Sequence, residues 1–209
     1  MRERIVRHTG IDRLIHWITA ICVLILLATA FLPILGIEFA WVAVHWWTGL
    51  VMIAAVAAHI ARVLIAKPLA TVRIDLRDLR DALQVAQVCL RLSSGVPPRP
   101  GKFSFAQKLI HLGIALVVLA AGVTGALMMA KIDTPWWERD PYWLSDEIWG
   151  LVYVVHGFSA LLLITMVMTH IYFAFRPEKA VFLRAMFRGW ITQGEFERLH
   201  DPKRWQVDE

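Results

Sequence analysis

Apolar residues gather in four long blocks along this chain, and the charged residues fall between them. No Asp, Glu, Lys or Arg occurs within 14–37, 39–61, 109–130 or 148–175. Each block exceeds the roughly 20 residues that cross a hydrocarbon core. Backbone groups in lipid must be paired within the segment, which requires helices. The pattern predicts four transmembrane helices at about 12–34, 39–65, 106–130 and 146–176. A different pattern follows the second block. In "DLRDLRDALQVAQVCLRL", 75–92, Leu76, Leu79, Leu83, Ala86 and Leu90 share one face at three-to-four spacing, and the other face is charged. This predicts an amphipathic helix lying on the inner leaflet or against a partner. "SSGVPPRPG", 93–101, breaks it before the third span. Short outer connections make neighbouring spans antiparallel. The expected fold class is thus an all-α integral membrane protein, a single membrane domain over 1–209. It is a four-transmembrane-helix bundle with an amphipathic inner connection and a cytoplasmic tail over 177–209.

Composition agrees: 58% of the 209 residues are apolar and 19% charged, against about 45–50% and about 25% in soluble domains. The first block has basic residues ahead of it and "ATA" at 28–30, as a signal peptide would. Its apolar run is too long for one, and His16-Trp17 sits inside it, so it is read as a retained span. Charge distribution orients the bundle. Of 22 Lys and Arg, 20 lie in the N-terminus, the 62–108 connection and the tail from 176, whereas the 131–147 connection is acidic. The positive-inside rule places both termini and the 62–108 segment in the cytoplasm. Basic patches that flank four spans are explained by membrane orientation, so no nucleic-acid partner is expected. Trp136, Trp137, Trp143 and Trp149 suit the interfacial belt. Cys22 and Cys89 form no C-x-x-C and no C-x-x-C-H, which leaves disulfide frameworks, zinc ribbons and c-type haem attachment unsupported.

The chemistry lies in histidines inside the apolar blocks. His156 and His170 stand fourteen residues apart on the fourth span. That spacing advances about 21 Å and turns within about 40° of four full turns, so both point the same way at two depths. The second span repeats it with His45 and His59, while His16 and His111 lie near the inner ends of the first and third spans. An imidazole in lipid is a functional candidate by default. One isolated case is commonly a hydrogen bond between helices, but matched depths on facing spans are not explained that way. Bundle cores hold cofactors, and a porphyrin between helices takes one imidazole from each side. Two depths predict two haems. His156 pairs by depth with His45. His170 has two competing partners, His16 and His59, and spacing alone favours His59. Gly49 and Gly157 beside the ligands would let a flat macrocycle approach the backbone, and Gly122 and Gly125 would do so or allow close helix packing.

The stretches "RIVRHTGIDRLIHWI", "HWWTGLVM", "FSFAQK", "HGFSALLLITMVMTHIYFAF" and "RGWITQGEFERLHDPKRW" together resemble the cytochrome b (gamma) subunit of respiratory, membrane-bound formate dehydrogenase. The likeness covers nearly the whole chain. The R-x-x-H-W start and the spacing of the last two histidines are also similar to cytochrome b subunits of some nickel-iron hydrogenases. The resemblance implies two b-type haems, an inner one held by His16 and His170 and an outer one by His45 and His156. His59 remains the challenger as inner ligand or as proton carrier. It further implies a quinone pocket, for menaquinone or ubiquinone, at the inner haem and the start of the third span. The family writes that stretch N-x-G-Q. Here it is Ser104-Phe105-Ala106-Gln107, so Gln107 matches while Ser104 and Ala106 depart; His111, one turn on, is an added candidate proton donor. The implied partners are an iron–sulfur (beta) subunit, a molybdenum or tungsten catalytic (alpha) subunit, quinone and the lipid membrane, within a complex open to higher oligomers. The implied location is the bacterial cell inner membrane, multi-pass.

The expected activity is a redox loop. Electrons from formate oxidised outside enter at the outer haem and reduce quinone near the cytoplasmic side, with protons taken from the cytoplasm. The chain is then the quinone-reducing subunit of an oxidoreductase and not its formate-oxidising one. Three rivals stand beside this reading: the cytochrome b of a hydrogenase or another periplasmic dehydrogenase, a stand-alone di-haem oxidoreductase, and a haem-free membrane anchor. The basic tail is expected to lie against anionic lipid, with a place on the inner face near the quinone as the alternative. His8 and His200 are expected at the surface.

Overall fold

The computed structural model describes residues 3–66 and 73–205; positions 67–72, within the expected inner connection, and the last four residues of the tail lie outside it. Four helices are long and apolar enough to cross a membrane: α1 (Gly10–Phe31), α2 (Trp41–Ala66), α4 (Phe105–Met128) and α5 (Asp146–Ala174). Between them, α3 (Leu76–Cys89) is the predicted amphipathic helix. After α5 come α6 (Ala180–Arg188) and α7 (Gln193–Leu199). The four spans match the four charge-free blocks. The first ends three residues early because Pro33 disfavours helical backbone at Leu32; the chain turns over 32–36, with Gly36 at φ +84°.

The chain divides into two compact units. One comprises Leu14–Ile60 and Ile114–Ile171, and so contains most of each span. Its core is Cys22, Val23 and Leu27 of α1, Met52 of α2, Val118 of α4 and Leu163 of α5. Met52 lies seven residues from both His45 and His59, and Leu163 seven from both His156 and His170. Seven residues advance about 10 Å, so this apolar layer falls midway between the two histidine levels.

The other unit comprises Met1–Arg13, Ala61–Gly113 and Tyr172–Glu209. It contains what an all-α reading does not foresee, a two-stranded antiparallel sheet. Strand β1 (Arg4–Val6) pairs with β2 (Trp190–Thr192) in the register Arg4↔Thr192, Ile5↔Ile191, Val6↔Trp190. Ile5, Ala185, Ile191, Phe196 and Trp205 form its core. The turn between α6 and β2 depends on Gly189, whose φ is +88°. Its carbonyl accepts the backbone N–H groups of Arg7 at 2.8 Å and His8 at 3.0 Å. A Cβ there would come within 2.9 Å of the His8 carbonyl oxygen. In α7, Thr192 and Glu195 form a capping box, and Glu195 also receives Arg184 at 2.5 Å.

The tail is therefore a folded element, and the expectation that His200 lies at the surface is corrected. His200 is buried, 1% exposed, as is Arg7 at 2%. Arg7 sits over the rings of Phe182, Trp205 and Phe103, 4.6, 5.3 and 5.5 Å from their centroids. One Arg7 nitrogen donates to the Lys102 carbonyl at 2.8 Å, and another meets His200 Nε2 at 2.9 Å. His200 Nδ1 is 2.7 Å from the Gly101 carbonyl, which can only accept, so Nδ1 carries the proton and Nε2 accepts from Arg7. Burial pushes the His200 pKa down to about 4, and the Arg7 charge adds to this. The ion pairs of α3 point inward: Asp78, 3% exposed, receives Lys108 at 2.7 Å, and Arg204 bonds Asp81. Leu76, Leu79, Leu83 and Leu90 are exposed on the opposite face.

Two measurements check this unit. Gly189→Ala should destabilise it by about 1–3 kcal/mol, from left-handed backbone strain and the close carbonyl, seen as a lower thermal midpoint in detergent. Neutral His200 binds its proton less readily folded than unfolded, so stability is complete above pH 6.5 and falls as pH drops toward 4. The loss by the low end is about 3 kcal/mol, and His200→Gln should flatten protease-resistance curves across that window.

Candidate functional site

The intramembrane histidines meet in two pairs within the bundle unit. His45 of α2 faces His156 of α5 with ring centroids 6.2 Å apart and planes at 68°. His16 of α1 faces His170 of α5 at 6.3 Å and 56°. Antiparallel helices explain the matching levels: His16 is early in α1 and His170 late in α5. Of the two partners that the sequence leaves open for His170, His16 has its ring facing that of His170 at this separation. His59 lies close enough to contribute to the electrostatics of His16.

The separations are informative. A metal–imidazole bond of about 2 Å, plus roughly 1 Å from nitrogen to ring centre, puts two imidazoles on opposite sides of one metal about 6 Å apart, centroid to centroid. Both pairs have that spacing. Among the described residues no group of three or more His, Cys, Asp or Glu converges. Each level thus offers two facing imidazoles, which fits a porphyrin iron better than a zinc-type cage of three or four donors. Cβ atoms added at Gly49 or Gly157 would meet nothing within 4 Å, so flat groups can approach the backbone there. Gly125 works differently: a Cβ would lie 3.2 Å from His156 Cε1, so the glycine lets that ring seat against α4.

Sequence reasoning missed two residues of this site. Thr29 Oγ1 lies 2.7 Å from His45 Nδ1, and Thr124 Oγ1 lies 3.0 Å from His156 Nδ1. Both hydroxyls are buried, at 3% and 8% residue exposure. Each also bonds backward in its own helix, Thr29 to the Ile25 carbonyl at 2.9 Å and Thr124 to the Ala120 carbonyl at 2.6 Å. A Thr hydroxyl in an apolar helix is ordinarily read as this backward bond, so nothing local flags the second partner.

The stretch expected to contact quinone begins α4. The Ser104 N–H donates to Gln107 Oε1 at 2.9 Å, and the Gln107 N–H donates to Ser104 Oγ at 3.4 Å. This reciprocal pair is a capping box. Ser104 and Gln107 thus close the cap between them, and the Gln107 amide nitrogen is the donor that the cap does not use. Ala106 lies in the first turn, and His111, four residues after Gln107, follows on the same helix face.

A family profile described as prokaryotic cytochrome b561 matches residues 7–189. The formate dehydrogenase cytochrome b556 subunit of Haemophilus influenzae is 26% identical over 220 residues, covering 99% of this chain and 84% of the relative. The formate dehydrogenase cytochrome b556(fdo) subunit of Escherichia coli K12 is 26% identical over 215 residues, covering 98% and 92%.

Proposed function

The chain belongs to the prokaryotic cytochrome b561 family, and from that premise we propose that it is the di-haem electron-transfer subunit of a membrane-bound formate dehydrogenase. Membership implies b-type haem. The observation that carries the reading is the pair of imidazole pairs at 6.2 and 6.3 Å, one at each of two levels in one bundle. His45 and His156 hold one haem; His16 and His170 hold the other. Relatives named as formate dehydrogenase cytochrome b subunits, alignable over nearly the whole chain, support the donor.

Bound haem supplies one-electron transfer at each level. The chain's own residues do the rest. The histidines fix the two levels, and Cys22, Val23, Leu27, Met52, Val118 and Leu163 keep the space between them apolar. The basic N-terminus, 62–108 segment and tail face the cytoplasm of the bacterial inner membrane, which makes the His45/His156 level the outer one. An iron–sulfur subunit, fed by a molybdenum or tungsten subunit that oxidises formate, delivers electrons there. Quinone is reduced near the cytoplasmic side, with the Gln107 amide and Ser104 hydroxyl orienting it at the start of α4, Ala106 leaving room in the first turn, and His111 supplying a proton. His59 serves as a proton carrier. Moving one charge against 100 mV costs about 2.3 kcal/mol, so this inward route needs a strongly reducing donor, which formate is.

Alanine substitutions test the ligand set by haem counted per chain. His45→Ala or His156→Ala should each lose one haem of two, and His16→Ala or His170→Ala the other. His59→Ala should keep both. A haem lost with His59→Ala and none with His16→Ala would overturn the inner assignment, and a colourless purified protein would overturn the function.

A further inference from the structure

The two histidine pairs differ in what stands behind them. At His156, Nδ1 lies 3.2 Å from the Ala121 carbonyl as well as 3.0 Å from Thr124 Oγ1. A carbonyl only accepts, so Nδ1 is the protonated nitrogen and Nε2 keeps its lone pair. The same logic reaches His45 through Thr29. A hydroxyl has one proton, and Thr29 has the Ile25 and Leu26 carbonyls of its own helix at 2.9 and 3.0 Å to receive it. Its oxygen is then left to accept from His45 Nδ1–H at 2.7 Å. Among the described residues, no hydrogen-bond acceptor stands behind either His16 or His170.

We propose that Thr29 and Thr124 are positioning residues that hold His45 and His156 as Nδ1–H donors, present Nε2 to the metal, and lower the reduction potential of the haem bound there. The inference rests on the haem-ligand reading above and deepens it. An acceptor behind an axial imidazole orients the ring and raises its basicity. A more basic ligand favours the oxidised iron, and hydrogen bonding behind the axial ligand is one of the protein's means of setting haem potential. The two threonines are not equivalent. His156 retains the Ala121 carbonyl if Thr124 is lost, whereas among the described residues Thr29 is the hydrogen-bond partner of His45. The pull on the potential is therefore larger from Thr29.

Potentiometric titration of the purified, haem-loaded protein, followed optically, tests this. The wave that disappears in His45→Ala identifies the haem concerned. Thr29→Val, the same shape without the hydroxyl, should shift that wave upward and leave the other where it was. Thr124→Val should shift it upward by less, and Thr29→Ser, which restores the hydroxyl, should return it to the native value. If Thr29→Val loses its haem, Thr29→Ala against Thr29→Ser decides in the same way, with alanine high and serine native as the supporting result. Unmoved potentials, equal shifts in both waves, or serine behaving as valine does would overturn the proposal. If His45→Ala removes no haem at all, the ligand assignment itself has failed, and the role of the threonines falls with it; shifted or unshifted waves in a protein that does lose that haem speak to the threonines alone.

Discussion

A helix in hydrocarbon satisfies its own backbone, but an imidazole on it has no such recourse. That constraint organises this protein. Each intramembrane histidine needs a partner for two ring nitrogens in a medium that offers no water. The bundle provides partners in two ways: a facing imidazole at about the distance that a shared metal would set, and, at one level, a threonine hydroxyl from a third or fourth helix. His45 takes Thr29 of α1, and His156 takes Thr124 of α4. That histidine level thereby ties four helices together, although only two of them carry the facing imidazoles.

How much was legible follows from how local each signal is. The spans were readable because exclusion of charge is a property of continuous sequence. The pairing of His45 with His156 was readable because depth in a membrane can be counted along a helix. The ring that faces His170 was not, because both candidates lie at the right depth and the rotation of α1 and α2 about their axes separates them; spacing alone favours His59, whereas the facing ring is that of His16. Thr29 and Thr124 lie sixteen and thirty-two residues from the rings they touch, and no periodicity links them. His200 was misread for a similar reason. Its neighbours "RLHDPKRW" are polar, and its burial depends on Arg7, 193 residues away. The charged side of α3 packs inward through Asp78 while its leucines are exposed, so even a correctly placed amphipathic helix does not announce which face the protein keeps. In a chain bordered by lipid, apolar does not mean inside.

The layer between the two histidine levels belongs to the same design. Met52 and Leu163 are placed at the midpoint of their helices' histidine spacing, and Cys22, Val23, Leu27 and Val118 complete the packing. An apolar core of this kind has a low dielectric, which strengthens the influence of each fixed dipole on its own level. Under the proposed function it also separates what crosses from what does not: electrons pass between levels, while ions and water meet a dry barrier. Among the described residues, hydroxyl support stands behind the imidazoles of the His45/His156 level.

The pairing of residues 4–6 with 190–192 carries a consequence for biogenesis. During synthesis the amino-terminal strand emerges first and must wait for nearly the entire polypeptide before its mate exists. Contacts of such long sequence separation form late. The sheet closes, and Arg7 enters its aromatic cage, only once every span has been made. A product cut short before its last twenty residues would lack β2 altogether, leaving β1 without its mate.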